Sequence, residues 1–483
     1  MIIITEPEGV DSKNTPNHHA PTQPLLQDPQ PPPPYVPSPS YPQIHHPSVY
    51  PEEVTVRRES AVRRFWSALG VALLTWFVVS VVTHRIVRIA HHTGNQWSRW
   101  GKPPPRPELW DGIAHKCINA NNWTTYYDSP KWISGYPLGA KASFSLPLGS
   151  NAFYLLSRGS YQHGQLVVEQ SHSPELGGTV LVEVKVSYHD SKALAVASVC
   201  KLARGVDEYG IGLFTPNHTG LLDENDQLNF EVKFTIPASS TGTLLQIKQF
   251  ESILPNFSQE IAALGDLVHF GRIGLASTNY PITVQSIRTT EGSFVTANSA
   301  IKGSFQADRS LKLVTSNAPI HGFVKLLDLG HNHHNQTTAL NISTTNGAIK
   351  ADIALETPSG IGGAFEVNAR TSNAPLQMNY SSSPAKPSFQ CTARTTNSPA
   401  HMVLHKEFDG DFEVESTLFT PSVELQSGKG PSDGGRFRVM VQDEHENRVF
   451  GSAHWVDMSF QDSAGGSSRV SIGTTNSPAQ LVL

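Results

Sequence analysis

Thr371-Ser372-Asn373-Ala374-Pro375-Leu376 decides how this chain is read, because the same pattern recurs along its last 210 or so residues. Other copies are Ser277-Thr278-Asn279-Tyr280-Pro281-Ile282, Thr296-Ala297-Asn298-Ser299-Ala300-Ile301 and Thr315-Ser316-Asn317-Ala318-Pro319-Ile320. Thr344-Thr345-Asn346-Gly347-Ala348-Ile349, Thr395-Thr396-Asn397-Ser398-Pro399-Ala400 and Thr474-Thr475-Asn476-Ser477-Pro478-Ala479 complete the set. The asparagines stand 19, 19, 29, 27, 24 and 79 residues apart. A period of about 20–30 residues is the mark of a stacked repeat.

Counting from each Asn, positions −4 and −2 are apolar or small, as in Leu313 and Thr315, Ile342 and Thr344, or Val470-Ile472-Thr474. Strict alternation reads as a strand with one buried face. On that alternation the Asn falls inward with the Thr. Beyond it the apolar positions are +3, +5 and +7: Ile349-Ala351-Ile353, Leu376-Met378-Tyr380, Ala400-Met402-Leu404 and Ala479-Leu481-Leu483. A slip of one residue turns every side chain over unless the chain rounds a corner. The corner belongs at Asn279, Asn298, Asn317, Asn346, Asn373, Asn397 and Asn476, since Asn tolerates turn geometry and the following Pro cannot donate to a ladder. The unit is strand–corner–strand, and units must stack to bury their faces. The 79-residue gap predicts an insertion, or a degenerate coil around Phe412–Leu425. The fold class expected is mainly β: a β-solenoid of stacked repeats over 266–483, led by a small all-β module over 112–265. Short strands are predicted at Ala142–Leu146, Ala152–Leu156, Gln165–Glu169, Thr179–Tyr188, Ala193–Leu202 and Asn229–Ile236.

The N-terminal part is different in kind. Residues 1–60 hold the expected disordered, cytosolic tail, with 13 prolines in the first 50 positions and little apolar periodicity. Pro32-Pro33-Pro34-Tyr35 fits the Pro-Pro-x-Tyr pattern that WW domains read, so Pro32, Pro33 and Tyr35 form a candidate WW-ligand motif. Phe65 to Thr83 is a 19-residue run without charge. At about 1.5 Å per residue it spans close to the roughly 30 Å hydrocarbon core. One transmembrane helix with its flanks is expected over 61–90, serving as signal and anchor, and a stiff Trp- and Pro-rich stalk over 91–111. Arginines on the two sides of the run are nearly balanced, so charge does not orient it. The sequons do: Asn122, Asn217, Asn256, Asn335, Asn341 and Asn379 all follow the span and none precedes it. The expected topology is N-terminus cytosolic and C-terminus extracytoplasmic, in the plasma membrane or an endomembrane, as a glycoprotein.

Net charge is −5 and only 16% of residues are charged, which gives no footprint for nucleic acid. Cys117, Cys200 and Cys391 are the three cysteines. Cys117 and Cys200 can pair if this part is lumenal, and Cys391 sits in phase with a buried face. Chemistry is sparse. Asp409-Gly410-Asp411, near Glu407 and Glu413, is the best carboxylate group for a polysaccharide lyase or hydrolase. Asp443-Glu444-His445-Glu446 reads as an exposed loop. His331-Asn332-His333-His334 lacks ligands from separate segments, so no metal site is expected, and no cofactor. Trp110, Trp123, Tyr126, Tyr127, Trp132 and Tyr136 can stack on sugar rings or pack the start of the β region.

The segments Tyr188-His189-Asp190, Gly210-Ile211-Gly212-Leu213-Phe214-Thr215-Pro216 and Phe230-Glu231-Val232-Lys233-Phe234-Thr235-Ile236-Pro237, with Phe250-Glu251, Leu254-Pro255-Asn256-Phe257-Ser258 and the Thr-Ser-Asn-Ala-Pro-Ile repeats, resemble a family of fungal membrane-anchored proteins of unknown function. That family looks like the adhesin-like class of β-solenoid domains, and the resemblance covers about 112–483. It implies a surface or endomembrane setting and carries no catalytic motif. The function expected is a non-catalytic surface binding or structural role, with a glycan or surface protein as ligand. One alternative is a membrane adaptor presenting Pro32–Tyr35 to a WW-domain ubiquitin ligase. Another is a polysaccharide-active β-helix enzyme.

Overall fold

A computed structural model describes residues 107–119, 122–126, 136–171, 177–217, 227–239, 242–330, 337–425, 436–457 and 468–483. Among them are 27 strands and one five-residue helix. The protein is mainly β, and no helix among the described residues is long and apolar enough to cross a membrane. The run Phe65–Thr83 and the motif Pro32–Tyr35 lie outside the described residues.

Each coil of the chain gives one strand to each of two ladders. On one ladder the strands preceding the Asn corner pair in parallel: Thr338–Ser343 with Ala364–Arg370, that with Ser388–Arg394, and that with Ser468–Thr474. On the other, the strands following the corner do the same: Ile320–Leu327, Ile349–Glu356, Leu376–Ser382, Ala400–Val403 and Ala479–Val482. In the shortest coils a single long strand, Ile282–Val295 or Ile301–Val314, serves both ladders in turn. Register is kept by identity of position, Ile349 facing Leu376 and Leu376 facing Ala400. The buried faces of both ladders form one core, from Leu166 and Phe230 through Phe294, Ile342 and Val367 to Leu481. Strand ladders and core continue through residue 266 without a break.

Chain order and stack order part company at both ends. The coil of Ala152–Arg158 and Gln162–Gln170 lies between the later coils Glu208–Phe214/Leu228–Ile236 and Leu245–Ile253/Phe257–Ala263. At the other end Ser468–Thr474 and Ala479–Val482 lie between Ser388–Arg394/Ala400–Val403 and Gly410–Ser416/Ser422–Glu424. The 79-residue gap therefore holds both things the sequence predicts: a degenerate coil at 410–424, and a hairpin, Arg436–His445 with Arg448–Asp457, that pairs antiparallel with Gly410–Ser416. Antiparallel strands also finish the first end: Ile113–Asn119 on Ser198–Arg204, and Thr124–Tyr126 on Leu138–Pro147 on Thr179–Tyr188. The parallel edges at Gly410–Ser416, Glu208–Phe214 and Leu228–Ile236 are thus covered by antiparallel strands, which limits further pairing.

Two expectations need correction. Ala193–Leu202 is not one strand. Asp190 accepts the amide of Lys192 and caps a short helix, Ser191–Ala195, before strand Ser198–Arg204 begins. The corner asparagines are exposed, not inward. The bend starts at the residue after the Thr, so alternation ends one position before it would turn the Asn inward. The hydroxyl residue at −2, Ser277 in the first repeat and Thr in the other six, is buried in every repeat, as expected.

Candidate binding surface

The corner is built from two hydrogen-bonded columns. Inside, the hydroxyl at −2 bonds carbonyls of the preceding coil: Thr315 Oγ1 to Ser299 O at 3.2 Å, Thr371 Oγ1 to Gly347 O at 3.0 Å, Thr474 Oγ1 to Ser398 O at 3.2 Å. Between the columns, the amides of −1 and Asn converge on the −1 carbonyl of the coil before, as Ser372 N and Asn373 N do on Thr345 O. Outside, each Asn donates Nδ2–H to the Oδ1 of its predecessor. Asn298 reaches Asn279 at 2.9 Å, Asn317 reaches Asn298 and Asn346 reaches Asn317 at 2.8 Å. Asn373 reaches Asn346 and Asn397 reaches Asn373 at 2.7 Å, and Asn476 reaches Asn397 at 2.6 Å across 79 residues of sequence.

The column has one more member than the repeat reveals. Asn279 donates to Asn256 Oδ1 at 3.1 Å, so the sequon residue Asn256 is the first rung. Pro255 replaces the usual Ser or Thr before it, which hid it from the repeat pattern. At the other end Ser416 takes the Thr place, bonding Ser477 O at 2.8 Å, and Leu418 stands where Asn would be. Leu418 is 69% exposed and ends the ladder.

Among the described residues each amide in the column bonds along the stack, which leaves at least one further N–H and one Oδ1 lone pair on each rung for other partners. Rungs repeat at about 4.8 Å, the strand spacing. Ser and Thr at −1 (Thr278, Ser316, Thr345, Ser372, Thr396 and Thr475) run beside them. Loops that lengthen the later coils leave the ladder between 356 and 364 and between 382 and 388, on the far corner from the asparagines.

Beyond Asn256 the chain departs from the repeat. His163 pairs in register with Asn229, Gly164 faces Phe257, and Tyr136 OH lies 3.5 Å from His163 Nε2. The Tyr136 ring is 4.9 Å from that of His189. Burial holds the His163 imidazole below its usual pKa, a hydrogen bond with Gln227 opposing it.

The other predicted residues scatter. Asn122, Asn217, Asn341 and Asn379 are exposed, and Asn379 Nδ2 donates to Asp352 at 3.1 Å. Asn335 and His331–His334 lie outside the described residues. Trp123 is 6% exposed in the core and Trp110 is open, while Tyr136 lies against the two histidines. Burial keeps Trp123 out of any surface platform; Tyr127 and Trp132 and the Tyr126 side chain lie outside what is described.

Asp409 and Asp411 lie in different surroundings. Asp409 is buried, its Oδ1 2.7 Å from His454 Nδ1. Asp411 lies on the outer face, lining a shallow cavity of about 390 Å³ with Glu413, Asp443, Arg448, Phe450 and Arg469. Gly410 permits the separation, for a Cβ there would stand 2.2 Å from Ser468 O. Glu413 is held by Arg448 at 2.8 Å. Asp443–Glu446 are exposed at the hairpin end. Among the described residues no three His, Cys, Asp or Glu side chains are grouped to hold a metal. Cys117 and Cys200 form a disulfide between paired strands, beside a small second cluster of Tyr154, Leu156, Leu202 and Phe214. Cys391 is buried, as its phase predicts. Desolvation pushes its thiol up to about 12, against a hydrogen bond with Tyr380 at 3.2 Å.

No protein-family model and no curated protein matches the chain. Among solved structures it is similar to a candidate adhesin of Parabacteroides merdae, with 11% identity and a TM-score of 0.28 over 55% of this chain and 89% of that one. A candidate adhesin of Bacteroides fragilis matches at 8% identity and a TM-score of 0.26, over 71% and 96% of the two chains. A candidate cell adhesion protein of Clostridium sporogenes matches at 9% identity and a TM-score of 0.17, over 71% and 99%.

Proposed function

We propose that this is a single-pass membrane protein whose β-solenoid ectodomain, from about residue 112, is an adhesin-like, non-catalytic binding module. The observation that carries the reading is the exposed asparagine column with its flanking Ser and Thr. A stacked core makes that surface rigid, so its polar groups bind without losing conformational entropy of their own. The ligand class is a polar polymer, a glycan or an extended surface protein segment, that exchanges hydrogen bonds with the outward amide groups. The Cys117–Cys200 disulfide supports an oxidising, extracytoplasmic setting. So do the six sequons after Phe65–Thr83. In this reading the tail before the span is cytosolic and offers Pro32, Pro33 and Tyr35 to a WW domain.

The test is capture of surface glycans and surface proteins by residues 112–483, compared with a triple variant Asn317→Asp, Asn346→Asp, Asn373→Asp. Binding by the native surface and at least a tenfold loss in the variant are expected. Equal capture by both would remove the column from the binding site.

A further inference from the structure

A second column runs beside the asparagines. Four residues past each Asn, outward side chains pair in register down the stack: Lys302 with His321, His321 with Lys350, Lys350 with Gln377 and Gln377 with His401. Thr283 precedes them and Gln480 follows. Between the two columns lies position +2, which is Pro or Ala in every repeat, as at Pro319, Ala348 and Pro375. We propose that the asparagine corner takes an acidic polysaccharide, its anionic groups on Lys302, Lys350 and the two imidazoles and its hydroxyl groups on the asparagine amides, which rests on the corner being the binding surface.

The sign of the strip is one-sided. From −1 to +4 the seven repeats hold two Lys, two His and no Asp or Glu, in a chain whose net charge is −5. The cations are also uncommitted. Lys302 and Lys350 are exposed, and among the described residues neither ammonium group has an ion pair or hydrogen bond. The acids that border the strip are occupied instead. Glu260, in register with Thr283, accepts from Gln285; Asp352 accepts from Asn379, and Glu424 from Gln480.

Spacing favours a polymer over a small anion. Rungs repeat at about 4.8 Å, so Lys302 and Lys350, two rungs apart, stand about 10 Å from each other. That is close to the screening length of about 8 Å at physiological salt, so their potentials overlap along the strip. A linear chain with anionic groups at intervals meets both lysines at once. The middle of the strip favours a sugar. Pro and Ala present an apolar surface to the C–H face of a pyranose ring, with the amides at one edge of the ring and the cations at the other. A single-stranded nucleic acid is also a polyanion, but its bases need aromatic faces to stack on. From −1 to +4 the one Phe, Tyr or Trp in all seven repeats is Tyr280, in the first of them.

Retention of two pairs of polymers on the immobilised full-length protein tests this: polygalacturonate against its methyl ester, and dextran sulfate against dextran. Each pair shares a backbone and differs in charge, and the two pairs separate carboxylate from sulfate as the anionic group. At least one acidic polymer is expected to bind more tightly than its neutral partner and to be released at about 1 M salt, where the screening length falls to about 3 Å. Lys302→Gln with Lys350→Gln removes two exposed ion pairs, and about tenfold weaker binding of that polymer is expected. Equal binding of charged and neutral polymers, weakened in the Asn317, Asn346 and Asn373 variant but not in the lysine variant, would overturn the acidic ligand and leave the asparagine column standing. Binding weakened in neither variant would remove the corner from the site. Retention of neither acidic polymer, or a preference for single-stranded DNA or poly-glutamate over both, would overturn the proposal equally.

Discussion

A threonine and an asparagine two positions apart divide the work of each corner. The Thr hydroxyl is buried and replaces water for a carbonyl that has no other way to reach it. The Asn amide is exposed, and each bond it makes along the column competes with water. Removing a buried hydroxyl leaves a desolvated carbonyl short of a donor, a cost of about 1–3 kcal/mol, whereas losing a solvent-accessible bond costs about 0.5–1.5 kcal/mol. Thr371→Val is therefore expected to lower stability more than Asn373→Ala, although the latter cuts two rungs at 2.7 Å and the former removes a 3.0 Å bond to Gly347 O. Chemical denaturation of both variants measures the order. A larger loss in Asn373→Ala would mean that the outer column, and not the inner hydroxyls, ties the coils together. The surface role proposed for the asparagines draws on the same contrast: a residue that contributes little to the stack is free to be specified by a ligand.

Among the elements, the first cap strand depends most on covalent support. Ile113–Asn119 is exposed along much of its length and, among the described residues, pairs with Ser198–Arg204 alone, so its own burial anchors it weakly. The Cys117–Cys200 bond closes 83 residues onto it. Cys117→Ser with Cys200→Ser is expected to lower stability by about 2–4 kcal/mol. Hydrogen exchange should quicken first in Ile113–Asn119 and Ser198–Arg204, while coils such as 349–382 keep their protection. Uniform loss across the stack would show that the cap and the coils unfold together. The coils themselves were legible because hydrophobic phase and corner chemistry agree in them: Val367-Ala369-Thr371 before the bend and Leu376-Met378-Tyr380 after it. The earlier coils were not. Their corners lack the Thr–Asn pair, as at Gly159 to Tyr161, and their strands read as unrelated β segments. Asn256, legible as a sequon, does not read as a rung because Pro255 and Phe257 flank it. The helix Ser191–Ala195 was missed because Ala193, Leu194 and Ala197 share one apolar run with the strand that follows.

At the scale of the molecule, periodicity tells that coils stack but not in which order. Nothing in residues 397–476 says that Asn476 lies on Asn397, since Ser416 and Val414 satisfy the same pattern and come sooner along the chain. The two candidate coils differ at the outer rung, where Leu418 offers Asn397 no amide and Asn476 does. The same arrangement at the other end, where coil 152–170 sits between two later ones, gives the molecule two ends of one design. Both place antiparallel strands outside the parallel ladders.

Asn397→Cys with Asn476→Cys, compared with Asn397→Cys with Leu418→Cys, is the measurement that bears most directly on the stack. Neighbouring rungs at about 4.8 Å are within disulfide reach, and rungs two coils apart are not. Under mild oxidation the first pair is expected to cross-link nearly completely and the second not at all. A link between positions 397 and 418, with none between 397 and 476, would contradict the stacked corners on which the surface and its proposed binding role depend.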